Sequence, residues 1–398
     1  MAKPSGADGG AKVGPLTDLI APLSVEEFFD SFYEKAFYRT PAPVAAVRDL
    51  LSIDRIDEII SDSELPPSSL TMAKSGSALP PDAYLHANGV IDRGAVLDNF
   101  RDGATIVLPQ LHYADGKLYS FCLALEREFG ARIQTNIYLT PSNAHGFGVH
   151  YDDHDVFVLQ VSGSKKWEIH GQREGLPYRG EGFRKDHDDP GELRETFVLG
   201  PGDCLYVPRG LAHRALTEGD EASLHITVGI LVQSWAEFML EAVAEASLRI
   251  PEMRQSLPRS LFFDPAKRSE NEAIFRRLMA EVQDRASFDA TLSAFGSNFV
   301  IGQGPRLRGA LNALIDGIGN DDRLKVRDNI LYAIELEGEE PQLTVAGSAM
   351  PLAADLAPQL RDRLLAGELA ISDFTVEDQE DLRDTVETLV AYGLLQRA

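Results

Sequence analysis

The sequence predicts an α+β protein: a compact barrel or sandwich of short strands, preceded and followed by helices. Two observations carry this. Between Ala104 and Val232 the chain breaks into short β-branched and aromatic segments separated by Gly, Pro and Asp, while on either side apolar residues recur at helical spacing. The length of 398 residues also exceeds what one core ordinarily organises, so two or three domains are expected.

The opening stretch, MAKPSGADGGAKVGPLT, has the composition of a disordered lead-in over residues 1–17 and lacks the apolar core and cleavage pattern of a secretory signal. From about Asp18 to Arg48 the spacing is helical, with Ser24 and Glu27 in a capping-box pattern, and SIDRIDEIISDSEL starts a second amphipathic helix with Ser52 as cap. RIQTNIYLTP, DVFVLQVSG, KKWEIHG, ETFVLGPGD, CLYVPRG and SLHITVGILV then read as strands. Many short strands divided by turn signals suggest a barrel or sandwich. After Ser234 the helical period returns in SWAEFMLEAVAEASL, AIFRRLMAEVQDRA and LRGALNALIDGI, whose apolar stripes need covering by the same chain or a second copy. From about Arg323 the pattern is a helical start, a hairpin at PQLTVAGSAMPL, a helix in LAPQLRDRLLAG, then LAISDF and a final helix, an order that looks like a small winged helix. From Leu311 onward 18 acidic residues face 7 basic ones, so a phosphate-reading surface is not expected there and a packing or protein-contact role is.

Composition narrows the function classes. With 44% apolar and 25% charged residues the chain resembles an ordinary soluble protein, and no apolar run reaches the roughly 18 residues of a membrane span. Cys122 and Cys204 sit in apolar surroundings and read as buried reduced thiols, which fits the cytoplasm. A net charge of −24 repels nucleic acid at long range and favours a cationic partner.

The chemistry concentrates in HGFGVHYDDHDVFVLQ. His150 and Asp152 are two apart, so on an extended chain both leave the same face. GDCLYVPRGLAHRAL supplies a third donor, His213, after a Pro-Gly turn. Two imidazoles and one carboxylate on one side of a metal match the facial triad of non-haem Fe(II) oxygenases, with the remaining positions open to substrate and oxygen. His145 and His154 compete as ligands; His154 is expected to face the cavity without ligating, and Asp153 to point away into solvent.

HGFGVHYDDHDVFVLQVSGSKKW, with TNIYLTP upstream and PGDCLYVPRGLAHRA downstream, resembles the ribosomal oxygenase group of JmjC-type, cupin-superfamily dioxygenases. The resemblance is specific from about Asn136 to Thr227 and looser elsewhere. It implies a double-stranded β-helix barrel over residues 18–233, a helical dimerisation region over 234–318 and a winged-helix domain that does not bind DNA over 319–398. It also implies Fe(II) held by His150, Asp152 and His213, with 2-oxoglutarate as cosubstrate. The far carboxylate of 2-oxoglutarate needs a cation or hydroxyl; the resemblance places a cation at Lys165, with Asn136, Tyr138 and Thr227 lining the pocket and His225 on the face of Thr227. Charge alone does not separate Lys165 from Lys166, although alternation puts them on opposite faces. Trp167 and Phe157 are expected to pack the barrel.

The implied activity is hydroxylation of an amino-acid side chain, with an arginine or histidine of a basic ribosomal protein as the leading substrate and a homodimer as the working state. Three other readings remain open at this point: an oxygenase of a biosynthetic peptide or free amino acid, a metal-binding cupin scaffold without activity, and a regulator acting through the winged helix.

Overall fold

The computed structural model describes residues 14–398 other than 143, 145–147, 218–219, 303, 305–306, 328–329, 337–339 and 346. His145 therefore lies outside the described residues. The chain divides into two compact units, one ending at Val232 and the other beginning at Gln233.

The first unit opens with helices α1 (Pro15–Ile20), α2 (Val25–Ser31), α3 (Ala45–Arg48), α4 (Ile53–Asp62), α5 (Arg93–Arg101) and α6 (Gly116–Phe129). The lead-in expected over residues 1–17 thus ends earlier, because Pro15 starts a helix whose Leu16, Leu19 and Ile20 are buried. Ser24 and Glu27 form the expected capping box, and the Ser52 side chain accepts from the Arg55 amide. Helix α6 interrupts a stretch read as strands. Its signals are local: Asp115 caps it, Leu118, Cys122 and Leu125 are buried on one face, and Gly130 ends it in the left-handed region.

The strands are β1 (Tyr38–Arg39), β2 (Thr71–Lys74), β3 (Ser77–Ala78), β4 (Thr105–Pro109), β5 (Arg132–Thr140), β6 (Asp155–Ser162), β7 (Lys165–Gln172), β8 (Glu195–Leu199), β9 (Cys204–Val207), β10 (Leu211–Leu216) and β11 (Ser223–Leu231). They form an eight-stranded sheet in the order β1-β9-β6-β11-β5-β4-β2-β3 and a three-stranded sheet in the order β10-β7-β8. Every ladder among them is antiparallel.

Alternation assigns the two faces of the large sheet. Phe157, Leu159 and Val161 of β6, Cys204 and Tyr206 of β9, and Leu224, Ile226, Val228 and Ile230 of β11 join Phe28, Ile56 and Leu118 in the core under the helices. Val156 and Val158 of β6 and Leu205 and Val207 of β9 turn the other way and pack on Trp167, Ile169, Phe197 and Leu211 of the small sheet. Burying Phe157 alone contributes about 1.5–3 kcal/mol. Cys122 and Cys204 are both free and buried.

The second unit holds α7 (Trp235–Ser247), α8 (Ser260–Phe263), α9 (Arg268–Arg285), α10 (Phe288–Ile301) and α11 (Ala310–Asp316). Ser234 and Glu237 cap α7 reciprocally. Phe238 of α7 lies edge-on to Phe295 of α10 at 5.5 Å. Beyond Asp316 come β12 (Leu324–Val326), the three-stranded meander β13 (Tyr332–Glu335), β14 (Gln342–Val345) and β15 (Ser348–Pro351), then α12 (Ala357–Ala366), β16 (Glu368–Leu369), α13 (Gln379–Ala391) and β17 (Leu395–Arg397). The helical start expected near Arg323 is a strand, because β12 sits between β16 and β17 and is paired on both sides. Ala310 and Ala313 of α11 belong to the same core as Leu360, Leu382 and Leu395, so packing runs across the boundary expected at residue 318. Among the described residues, no helix is long and apolar enough to cross a membrane.

Candidate metal centre and its cavity

The inner face of the barrel is where alternation leaves polar side chains. A single cavity is lined by Asn136 and Tyr138 of β5, His225 and Thr227 of β11, Lys165 and Trp167 of β7, His213 of β10, and His150, Asp152 and His154 from the segment leading into β6. The sequence reading assigned seven of these ten to a metal and a cosubstrate, left His154 and His225 without a role, and put Trp167 in the barrel packing. The register explains the grouping, because Tyr138 pairs directly with His225 and Asn136 with Thr227.

His150, Asp152 and His213 come together with one donor atom each within 4.8 Å of one another. The strand segments carrying the two histidines are locked by a reciprocal backbone pair, His150 N to His213 O at 3.1 Å and His213 N to His150 O at 2.8 Å. The Gly210 amide donates to Asp152 O at 2.9 Å, which fixes the third residue to the same turn. Each ring has its Nδ1 tied to a backbone carbonyl two residues before it, His150 to Gly148 and His213 to Leu211, both at 2.9 Å. A carbonyl only accepts, so Nδ1 carries the proton and Nε2 presents its lone pair. Those Nε2 atoms lie 3.9 Å and 3.7 Å from the two carboxylate oxygens of Asp152. Burial, with the nearby His150, pushes His213 down to about 4, so it is neutral near pH 7, as a ligand must be. Two imidazoles and one carboxylate of fixed orientation suit a divalent first-row metal with open positions.

Lys165 is 3% exposed and faces the cavity, whereas Lys166 is only partly buried and does not line it. Of the two lysines, Lys165 is therefore the one on the cavity face. The tight entry to β7 sets the register. Gly163 has φ +59°, and a Cβ there would meet the Ala222 carbonyl oxygen at 2.1 Å, so only glycine fits. The ammonium donates to Thr140 Oγ1 at 3.1 Å, and Thr140 in turn lies 3.2 Å from Thr105 Oγ1. Burial lowers the Lys165 ammonium to about 7. Burial also pushes the Tyr138 phenol up, so it stays protonated, and its ring stacks on His225 at 4.8 Å and 5°. His225 is held well below its ordinary range by burial and then by Lys165.

Several supporting residues escaped the sequence reading. Thr105 and Thr140 frame Lys165; Thr140 continues the alternation of Asn136 and Tyr138, a usable signal. Asp155, wholly buried at the start of β6, accepts from Tyr206 Oη at 2.5 Å and from Arg209 Nη1 at 2.7 Å, and Arg209 also reaches Glu34 at 2.7 Å. The pairing ties the segment after Asp152 to the turn before His213, but nothing local marks it. Asp153, expected in solvent, is instead partly buried: one oxygen lies 3.0 Å from His154 Nδ1 and the other accepts the Gly180 amide at 2.5 Å. Phe157 packs under the helices, away from the cavity.

Comparisons with known proteins bear on this geometry. The JmjC domain family matches residues 114–238. The bifunctional lysine-specific demethylase and histidyl-hydroxylase NO66 of Drosophila persimilis is 31% identical over 265 residues, covering 62% of this chain and 36% of the relative. The NO66 protein of Dictyostelium discoideum is 29% identical over 269 residues, covering 62% and 49%. This chain thus spans between a third and a half of the length of these curated relatives. The Escherichia coli ribosomal oxygenase YcfD superposes with a TM-score of 0.55 at 17% identity, over 94% of this chain and 98% of that one. A complex of YcfD with cobalt and 2-oxoglutarate gives 0.54 at 18% identity with the same coverage. At that identity the likeness concerns the fold, a cupin-like mixed α/β fold. The chain is thus similar to the JmjC domain family over residues 114–238, to the NO66 proteins in sequence over about 62% of its length, and to YcfD in fold.

Proposed function

We propose that this chain is an Fe(II)- and 2-oxoglutarate-dependent oxygenase that hydroxylates an amino-acid side chain of a protein or peptide, with an arginine or histidine of a ribosomal protein as the leading substrate. The observation that carries this is one cavity holding both a His-Asp-His cluster and a buried lysine. The relatives support it: NO66 is named as a histidyl-hydroxylase, and YcfD was crystallised with cobalt and 2-oxoglutarate. When bound, iron and 2-oxoglutarate supply the oxidation, converting oxygen and the cosubstrate to succinate and CO2 with one oxygen atom placed on the substrate carbon.

The chain's own residues do the rest. His150, Asp152 and His213 hold the metal on one side. Lys165 pairs with the distal carboxylate of 2-oxoglutarate, which recovers a charge-assisted hydrogen bond for a cation buried at a cost. Asn136, Tyr138 and Thr227 line the space between and orient the cosubstrate. Val156, Val158 and Trp167 keep the wall apolar and exclude water.

The second unit is read as an assembly module. Trp235, Leu240, Phe263, Leu311 and Ile315 are exposed on its helices, and Ile315 reaches 80%. Such faces call for a partner, and a second copy of the chain, giving a homodimer, is the occupant that the group resemblance favours. Residues 319–398 are read as a winged-helix module that serves protein contact, given their acidic excess. A net charge of −24 favours basic protein substrates and disfavours DNA.

The test is incubation with Fe(II), 2-oxoglutarate and a pool of ribosomal proteins. Succinate formation together with the gain of one oxygen atom on a substrate peptide by mass spectrometry is expected. Iron binding with no succinate formed would favour the non-catalytic scaffold, and modification of free amino acids alone would move the substrate away from proteins.

A further inference from the structure

Between β7 and β8 the chain makes a charged excursion over residues 173–194. Its two roots are fixed on the small sheet. The Gly171 amide donates to Pro190 O and the Arg194 amide to Ile169 O, both at 2.8 Å. Gly191 has φ +72°, and a Cβ there would meet Gly171 Cα at 2.9 Å, so the loop closes glycine on glycine. Its interior is braced as well. Asp188 Oδ2 accepts the Arg184 amide at 2.6 Å, and Glu181 Oε2 accepts from Arg173 Nη1 at 3.0 Å and from the Tyr178 amide at 3.1 Å.

This braced loop rests on the segment that carries His150 and Asp152. The segment is irregular, since β6 begins only at Asp155, and it joins the barrel through the His150–His213 bridge and the Gly210 bond to Asp152. His150 and Asp152 line the cavity; Tyr151 and Asp153, on the opposite parity, do not. Both outward residues contact the loop. Tyr151, 6% exposed, meets the Phe183 ring edge-on at 5.3 Å and donates from its hydroxyl to Asp188 Oδ2 at 3.2 Å. Asp153 Oδ2 accepts the Gly180 amide at 2.5 Å. The loop also reaches the turn before His213. The Arg173 amide donates to Gly210 O at 2.9 Å, so Gly210 is held by the loop on one side and by Asp152 on the other.

Fixing an irregular segment costs conformational entropy, and a bound ion must offset that cost unless the protein has already met it. Resting on the reading of His150, Asp152 and His213 as a metal site, we propose that Tyr151 and Asp153 are positioning residues. Through them the loop of residues 173–194 holds the ligand segment from behind, so that loop docking and metal binding stabilise each other. The loop thereby raises metal affinity although none of its residues lines the cavity.

The test titrates the full chain, stripped of metal by a chelator, with Mn(II) in a calorimeter, using His150→Ala as the blank for ions held by surface acidic groups. Phe183→Ala removes the loop's side of the ring contact, Tyr151→Ala removes the other side, and Tyr151→Phe keeps the ring and deletes only the hydroxyl. Both alanine variants are expected to weaken Mn(II) about tenfold or more, the scale on which supports of metal ligands act. Tyr151→Phe should stay within about threefold of wild type, the loss of one hydrogen bond. A second measurement needs no variant. Because the coupling is reciprocal, Mn(II) should slow tryptic cleavage of the wild type at Arg179, Arg184 and Lys185 several-fold. Alanine variants that keep the wild-type circular dichroism and bind Mn(II) unchanged overturn the proposal, as does a loop cut at the same rate with and without Mn(II). Weakening in Tyr151→Ala alone overturns it too, because the effect would then not pass through the loop. Should an alanine variant fail to fold, the protease measurement on the wild type decides. A wild type that binds no Mn(II) above the blank overturns the metal reading itself, and the proposal with it.

Discussion

The two ends of the cavity are built on opposite physical terms. At the metal end His150 and Asp152 are half-buried, and backbone carbonyls hold both rings, so the chain itself sets the orientation of the cluster. At the lysine end a single cation is buried with Thr140 Oγ1 as the acceptor it reaches. The first end is preorganised and open; the second is closed and electrostatically incomplete. The difference teaches where binding energy is to be gained: the metal end gains by coordination, the lysine end by accepting an anion that satisfies a cation already desolvated.

Breaking the metal end should have the largest effect. His150→Ala or Asp152→Ala is expected to abolish succinate formation while circular dichroism and thermal unfolding stay near wild type, because both residues are partly exposed and outside the packed cores. Retained turnover in either variant would show that the cluster is not the metal site.

Breaking the lysine end should cost less. Lys165→Met keeps most of the volume and removes the cation, and it should weaken 2-oxoglutarate by about 30-fold or more, as loss of a buried charge partner does. Metal affinity measured without cosubstrate should hold. Lys166→Met should do little to either. If the two lysine variants exchange phenotypes, the inward residue has been misassigned.

A pH series sharpens the contrast with a smaller effect. Lys165 is pushed down to about 7 by burial. Only its charged form pairs with a carboxylate, so 2-oxoglutarate affinity should be flat below about pH 7 and fall above it, approaching about tenfold per pH unit. The slope should vanish in Lys165→Met. An affinity that stays flat from pH 6 to 9 in the wild type would mean that the ammonium remains charged throughout, or that it does not contact the cosubstrate.

Much of the barrel was legible because period-2 patterns and turn residues are local. DVFVLQVSG and SLHITVGILV hold their faces by alternation alone, and alternation put Asn136 and Tyr138 on one strand face, whereas Lys165 and Thr227 came from the family resemblance. Helix α6 was missed although Asp115 and Gly130 bracket it, because the aromatic texture of LYSFCLAL reads equally as a strand. The supports of the site were harder to see. The tautomers of His150 and His213 depend on carbonyls of Gly148 and Leu211, and a carbonyl carries no residue identity. Asp155, Arg209 and Glu34 meet from positions far apart in the chain, so only the fold makes them one network.

The two buried thiols carry a practical consequence. Cys122 is on helix α6 and Cys204 on strand β9, and burial pushes both far above the ordinary thiol range. The thiolate is the form that reacts, so the native barrel unit resists alkylation at both positions. Residues 233–398 contain no cysteine. Labelling kinetics therefore give two internal clocks for transient opening, one in the helical layer and one in a barrel strand, with the second unit silent in the signal.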